Sequence, residues 1–238
     1  MAPIVRMTNT SSLMRLFLLP FAATLSLGAT PVPTSADLVE LFTAQGCPAC
    51  PAADAALARL ATRPGVIALS LPVTYWDQRG WRDPLAQPTF TERQRRYARI
   101  GRRDAATPQF VINGRYATSD PSPAVLDRAV AAAAASGGPS LTAAHGHLAV
   151  SADVRTARAA MVWLADYDPR PIRTPVRAGA NGGRTAVQVN VVRRFRALGR
   201  WSGGAARYRL PPLTASLRRA ALVQSADGGT VIAAARIG

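Results

Sequence analysis

The sequence predicts two parts in series: an α/β domain over residues 37–136 and an all-β, sandwich-like domain over 141–238, joined by a linker at 137–140. Three observations predict this. Up to position 136, short apolar runs alternate with helical segments. Beyond it, short strands are separated by Gly, Asn and Pro turns. Between the two textures stands Ser136-Gly137-Gly138-Pro139-Ser140, a chain-breaking string that closes an alanine-rich segment.

Taken in order, residues 37–42 (DLVELF) read as a strand, 51–61 as a helix, and 66–73 (VIALSLPV) as a second, buried strand. A helix follows from Thr89, where Thr89 and Glu92 make a capping box, to Ile100, with Gly101 as the stop. Residues 109–113 (QFVIN) form a third strand that turns at Asn113-Gly114 into a short return strand. Ser122 then caps a helix with Pro123 in its first turn, running through the alanine block to Ser136. After the linker, residues 148–154, 159–165, 186–192, 207–210 and 231–237 read as strands, with turns at Asn181-Gly182-Gly183 and Asp227-Gly228-Gly229. There is no convincing helix in this part, and no internal repeat.

Residues 1–36 read as a secretory signal. Arg6 and Arg15 give a positive start free of acids, 16–27 is an apolar stretch, and small residues follow, with cleavage after Gly28, Ala29 or Ala36 all compatible. The stretch is shorter than the roughly 20 residues of a membrane span, and Pro20 interrupts it. The expectation is a periplasmic or secreted protein with no stable membrane insertion after cleavage. Of 238 residues, 48% are hydrophobic, which excludes a disordered polymer. The net charge is +16, yet all 29 basic residues are arginine, a bias that suggests compositional drift more than a nucleic-acid surface. No nucleic-acid partner is expected.

The chain's two cysteines, Cys47 and Cys50, form Cys-Pro-Ala-Cys directly after the first strand. Disulfides stabilise more as the loop they close lengthens, and this pair closes almost none, so stapling explains it poorly. At the start of a helix the spacing suits exchange chemistry: one thiolate is favoured by the helix dipole while a second thiol resolves a mixed disulfide. An inert local disulfide and half of a metal site are the alternatives. The second needs further ligands, and the histidines, His145 and His147, lie far along the chain with a spacing equally ordinary for an exposed strand. Thr107-Pro108 stands just before the third strand, where a cis bond would place the residue before proline against the Cys-x-x-Cys pair; a trans proline starting an edge strand is the alternative, and the order of elements along the chain favours the cis reading.

These features together resemble the thioredoxin superfamily over about residues 37–136, which makes the predicted fold class a thioredoxin-like α/β domain followed by an all-β domain. The string Val39-Glu40-Leu41-Phe42-Thr43-Ala44-Gln45-Gly46-Cys47-Pro48-Ala49-Cys50-Pro51-Ala52-Ala53-Asp54 more closely resembles the opening of a family of exported bacterial proteins, domain of unknown function 1223. Tyr75-Trp76-Asp77, Gly80-Trp81, Thr107-Pro108-Gln109, Tyr167-Asp168-Pro169, Gly183-Arg184-Thr185 and Asn190-Val191-Val192-Arg193 extend the resemblance across most of the chain. The family carries no assigned activity. Against its common pattern, Pro72-Val73-Thr74 replaces His-Val-Asp and Gln188 replaces a histidine. Thioredoxins also place a buried carboxylate where this chain has Leu41; Glu40 is adjacent, but strand alternation turns it to the opposite face.

Pro51 fits best as the first helical residue, with Cys50 as the cap. Tyr75, Trp76 and Trp81 form an aromatic insertion that either walls the dithiol for a substrate or packs the insertion onto the domain. Arg93, Arg95, Arg96, Arg99, Arg102 and Arg103 read as a solvated basic face. The resulting expectation is a thiol-disulfide oxidoreductase acting on envelope or secreted proteins or on a small thiol or disulfide. Cys47 and Cys50 carry the exchange, Thr107 and Pro108 orient the substrate chain, and neither a cofactor nor a bound metal takes part. The alternatives are a non-catalytic binding protein with a structural disulfide, or copper or zinc handling through the two thiols.

Overall fold

The computed structural model describes residues 35–133, 137–153 and 159–237. The predicted signal segment lies outside them apart from residues 35–36, as does the end of the alanine block at 134–136. The elements run β1 (Asp37–Thr43), α1 (Cys50–Ala61), β2 (Val66–Pro72), a 3₁₀ turn (Thr74–Trp76), α2 (Pro88–Ile100), β3 (Gln109–Ile112), β4 (Tyr116–Thr118) and α3 (Pro123–Ala133). There follow β5 (Leu141–Ala144), β6 (His147–Val150), β7 (Ala160–Asp168), β8 (Ile172–Pro175), β9 (Thr185–Gln188), β10 (Val191–Trp201), β11 (Ala206–Arg209), β12 (Arg218–Ser225) and β13 (Val231–Arg236).

The helices start where backbone chemistry allows it. In α2, Pro88 occupies the first turn, where its missing N–H has no intrahelical acceptor to lose, and Gln87 is the extended residue before it. The predicted Thr89–Glu92 capping box does not form: Pro88 draws the helix start one residue earlier, and Glu92 instead accepts from Arg95 at 3.3 Å. In α1 the buried face is Ala53, Ala56, Leu57 and Leu60, and one carboxyl, Asp54, shares it.

A thioredoxin-like α/β domain followed by a separate β-sandwich is not what these elements build. Strands from both sides of residues 137–140 form one eight-stranded mixed sheet, in the order β13-β12-β7-β10-β2-β1-β3-β4. The remaining strands form the three-stranded sheet β11-β6-β5 and the hairpin β8-β9, so the described chain is mostly β with three helices. The two halves meet where Val191 of β10 pairs in parallel with Ser70 of β2. The cause lies in β2, all seven residues of which are buried. A strand covered on both faces requires a neighbour on both edges, and β1 supplies only one.

That junction is short and carries a specific lock. Ser70 N–H donates to Asn190 O at 3.1 Å, and Asn190 Nδ2 donates to Ala68 O at 2.8 Å. Asn190 holds φ of 48°, a region that asparagine tolerates better than most residues. Asn190→Ala is expected to lower stability by about 1–2 kcal/mol, through the lost bond and the left-handed backbone together. An unchanged urea midpoint would show that this rung does not hold the halves together.

Strand alternation sets the layers. Leu38 and Phe42 of β1 pack with Phe90 and Tyr97 of α2 and with Ala165, Tyr167 and Leu222 from beyond the linker. Val39 and Leu41 face Leu57 and Leu60 of α1 and Leu126 and Val130 of α3. A third cluster, including Leu148, Val162, Leu164, Trp201 and Val223, fills the β-rich half.

Candidate functional site

The chain turns between β1 and α1 through two backbone bonds, Cys47 N–H to Ala44 O at 3.1 Å and Cys50 N–H to Cys47 O at 3.2 Å. These turns bring the Cys47 and Cys50 Cα atoms 5.3 Å apart, and a disulfide joins the side chains. Cys50 is itself the first residue of α1, after Ala49 as cap, so Pro51 sits one position deeper than expected but still within the turn whose N–H groups lack partners. Pro48 and Ala49 are exposed, whereas Cys47 is 1% and Cys50 0% exposed.

The aromatic insertion lies beside this turn. Tyr75 and Trp76 pack against the cluster that contains both cysteines. Trp76 spans two parts of the site: a Cβ on Gly46 would stand 3.5 Å from Trp76 Cβ, and Trp76 Nε1 donates to Thr107 Oγ1 at 2.7 Å. The Thr107–Pro108 peptide is cis, and β3 begins next to it at Gln109, opposite Phe42, which sets the bond at the same end of the sheet as the cysteine turn. Tyr75 OH donates to Gln94 Oε1 at 3.2 Å and Trp81 Nε1 to Gln45 Oε1 at 3.0 Å. All three aromatic polar atoms are therefore used within the protein, and each side chain is half-buried.

The β-rich half reaches into the motif. Asn181, buried in the turn between β8 and β9, donates both amide hydrogens of Nδ2 to backbone carbonyls, Gln45 O at 2.9 Å and Cys47 O at 2.8 Å. Gln45 ties further groups in: its Nε2 donates to Gln188 Oε1 at 3.1 Å and its N–H to Asp83 Oδ2 at 3.0 Å. Gly179 permits the approach, with φ of 73° and an added Cβ only 3.1 Å from Arg79 O. The sequence marked Asn181-Gly182-Gly183 as a turn and carried no sign that it would hold Cys47.

Asp54 is the site's other unforeseen residue. One helical turn after Cys50, its carboxyl is buried, and burial pushes its pKa up to about 8, with the nearby Asp83 charge adding to the rise. Thr43 lies close enough to pull the other way, yet neither Thr43 Oγ1 nor Asp54 Oδ1 closes a hydrogen bond of normal geometry. Burial raises Asp83 as well, against backbone donors from Gln45 and Leu85. At neutral pH the site thus holds a carboxylic acid rather than a carboxylate.

Among the described residues, no three of His, Cys, Asp and Glu converge as a metal site. His145 and His147 flank the β5–β6 turn, with the His147 ring nitrogen Nδ1 3.0 Å from His145 O. Of the six arginines predicted as a solvated face, Arg93 is corrected: its side chain is 8% exposed because Glu40, 0% exposed, draws it inward. The other five are exposed. No described helix is long and apolar enough to cross a membrane.

Residues 38–232 match the family described as "Protein of unknown function (DUF1223)". No curated protein matches the chain. Among solved structures, protein AGR_C_4864 from Agrobacterium tumefaciens superposes with a TM-score of 0.70 at 29% identity, covering 84% of this chain and 92% of that one. HBP35 of Porphyromonas gingivalis superposes with a TM-score of 0.56 at 14% identity, over 85% of this chain and 74% of its own, a likeness of fold alone.

Proposed function

The chain belongs to the DUF1223 family of proteins of unknown function, and from its site we propose that it is a thiol-disulfide oxidoreductase of an oxidising compartment. One observation carries the reading: the disulfide joins cysteines three positions apart at the first residue of a helix. Such a bond restrains the unfolded chain by about 2 kcal/mol on the chain-entropy account, less than half of what a hundred-residue loop yields, so stability alone accounts for it poorly. The signal-like residues 1–36 support a location where disulfides persist.

A substrate thiolate attacks Cys47 Sγ, an R–S–Cys47 bond forms as the Cys47–Cys50 bond breaks, and the electron pair leaves on Cys50 Sγ, which takes a proton. A second thiolate then attacks the substrate sulfur and releases the Cys47 and Cys50 dithiol with one substrate disulfide. In reverse, the same steps reduce a substrate disulfide. Attack requires displacement of the covering groups, because Cys47 is only 1% exposed. Trp76, anchored on Thr107, and the turn bearing Asn181 are the segments that would move.

Equilibration with glutathione buffers tests the proposal. A reduction potential between about −270 and −120 mV, together with a stable glutathione adduct on Cys47 in Cys50→Ser, is the expected result. A potential below about −300 mV, with no adduct and no insulin turnover, would leave the bond structural and overturn the reading.

A further inference from the structure

We propose that the exposed end of α2, with the β3–β4 turn beside it, is a docking surface for an anionic lipid bilayer. Three large apolar side chains are exposed among the described residues, and two of them, Ile100 at 43% and Tyr116 at 42%, belong to this surface. Ile100, Gly101, Arg103, Arg115 and Tyr116 line one depression, and Arg103 joins it to a second, lined also by Arg95, Arg99 and Arg102. Arg96 extends the patch toward the β12–β13 turn, where a Cβ on Gly228 would strike its side chain.

Arginine at a helix C-terminus is ordinarily explained by the helix dipole, which favours cations there. That accounts for Arg99, in the last turn of α2, but the effect fades within one turn, and Arg102, Arg103 and Arg115 lie beyond the helix. Six exposed arginines gather here. The acids that flank them on their own elements and on the β12–β13 turn are Glu92, Asp104 and Asp227, and Glu92 accepts from Arg95 at 3.3 Å.

The combination names the occupant. A polyanion in water would pair with the guanidinium groups and leave Ile100 and the Tyr116 ring uncovered. A bilayer takes both: anionic headgroups meet the arginines, the isoleucine enters the acyl boundary, and the phenol stays at headgroup level. The surface stands at the end of β1 remote from the cysteines, since Tyr116 pairs with Ile112 and Ile112 with Val39, whereas the cysteine turn leaves β1 past Thr43. Adsorption therefore leaves the disulfide turned toward substrate, and it requires no exchange chemistry.

Sedimentation of the full chain with vesicles of phosphatidylcholine alone, or with about one-third phosphatidylglycerol, tests it. Residues 16–27 are common to every variant and cancel from the ratios. An arginine near an anionic surface is worth about fivefold in partition, so Arg102→Gln/Arg103→Gln is expected to weaken binding to the anionic vesicles about 25-fold. Ile100→Ser/Tyr116→Ser, with the charge unchanged, is expected to weaken it about tenfold and to keep the preference for phosphatidylglycerol. Arg173→Gln/Arg177→Gln removes two exposed arginines of the β8–β9 hairpin and is expected to change binding by less than about twofold. An equal loss in that control, equal binding to the two kinds of vesicle, or an unchanged partition in either patch variant would each overturn the assignment. Poly-glutamate bound as tightly as the anionic vesicles, with Ile100 and Tyr116 dispensable, would also overturn it and make the patch a site for an acidic protein.

Discussion

Arg93→Met is expected to destabilise the protein by about 3–5 kcal/mol, because it leaves a wholly buried carboxylate without its cation. Arg93 Nε donates to Glu40 Oε1 at 2.6 Å and Nη2 to Oε2 at 3.0 Å, while Nη1 reaches Gln224 Oε1 at 2.9 Å. The guanidinium also lies over the Phe195 and Tyr97 rings, 4.3 and 5.0 Å from their centroids. One side chain of α2 thus binds β1, β10 and β12, strands from both sides of the linker. Methionine retains most of the stem volume, so the loss is electrostatic rather than a cavity. Tyr97, whose phenol burial holds well above its usual range, keeps its proton and continues to donate to Glu40 Oε2, but one neutral donor does not replace a bidentate cation. The double variant Glu40→Leu/Arg93→Met is expected to regain most of the loss, since neither charge is then buried alone. Urea unfolding reads both. A loss below about 1 kcal/mol, or a double variant no better than the single, would mean that the pair does not organise this core.

The same arginine shows what patterning in the sequence conveys. Apolar periodicity placed β1, β2, β3 and the three helices, because it reports which face of an element is buried. It says nothing about which strand lies at an edge, where only backbone groups meet, and so the joining of β10 to β2 was not legible. For the same reason β12 went unrecognised: Arg218-Arg219 opens it like a surface segment, yet Arg219 is buried against Asp166, with Nε to Oδ1 at 2.5 Å. The strand predicted at 186–192 merges β9 with the start of β10 and stops where arginines resemble a loop, while the ladder of β10 with β7 continues to Trp201. In each case a charged side chain that finds a buried partner is indistinguishable, from sequence, from one that finds water.

At the site, the cysteine pair was legible because its spacing has a chemical meaning of its own. Thr107-Pro108 was legible both as a position and, from the order of elements around it, as the favoured place for a cis bond, which the fold contains. Asn181 was not legible as a site residue, since its role depends on a contact across 134 positions to Cys47. Asp54 did leave a signal: a lone acid inside the arc of Ala53, Ala56, Leu57 and Leu60, one turn from Cys50. An acid on the apolar face of a helix is either an error of phase or a buried carboxyl, and here it is the second.

That carboxyl will make stability fall as pH rises. Asp54 titrates near 3.8 in an open chain and at about 8 in the fold, so between those values the folded state holds a proton that the unfolded state has released. Raising the pH through this window removes stability. It is fully present below about 4 and lost above about 8, and the four-unit difference corresponds to about 5 kcal/mol. Asp83, also raised, adds to the same slope, whereas Asp166 and Asp168, lowered by Arg219 and Arg170, act only at the acid end and with opposite sign. Asp54→Asn separates the contributions. Near pH 4 both the variant and the native chain carry a neutral group there and will unfold at similar urea concentrations. Near pH 9 the native chain must either bury a charge or rearrange, and the variant will be the more stable by several kcal/mol. Parallel stability curves for the two proteins from pH 5 to 9 would show that Asp54 is solvated and ionised in the fold.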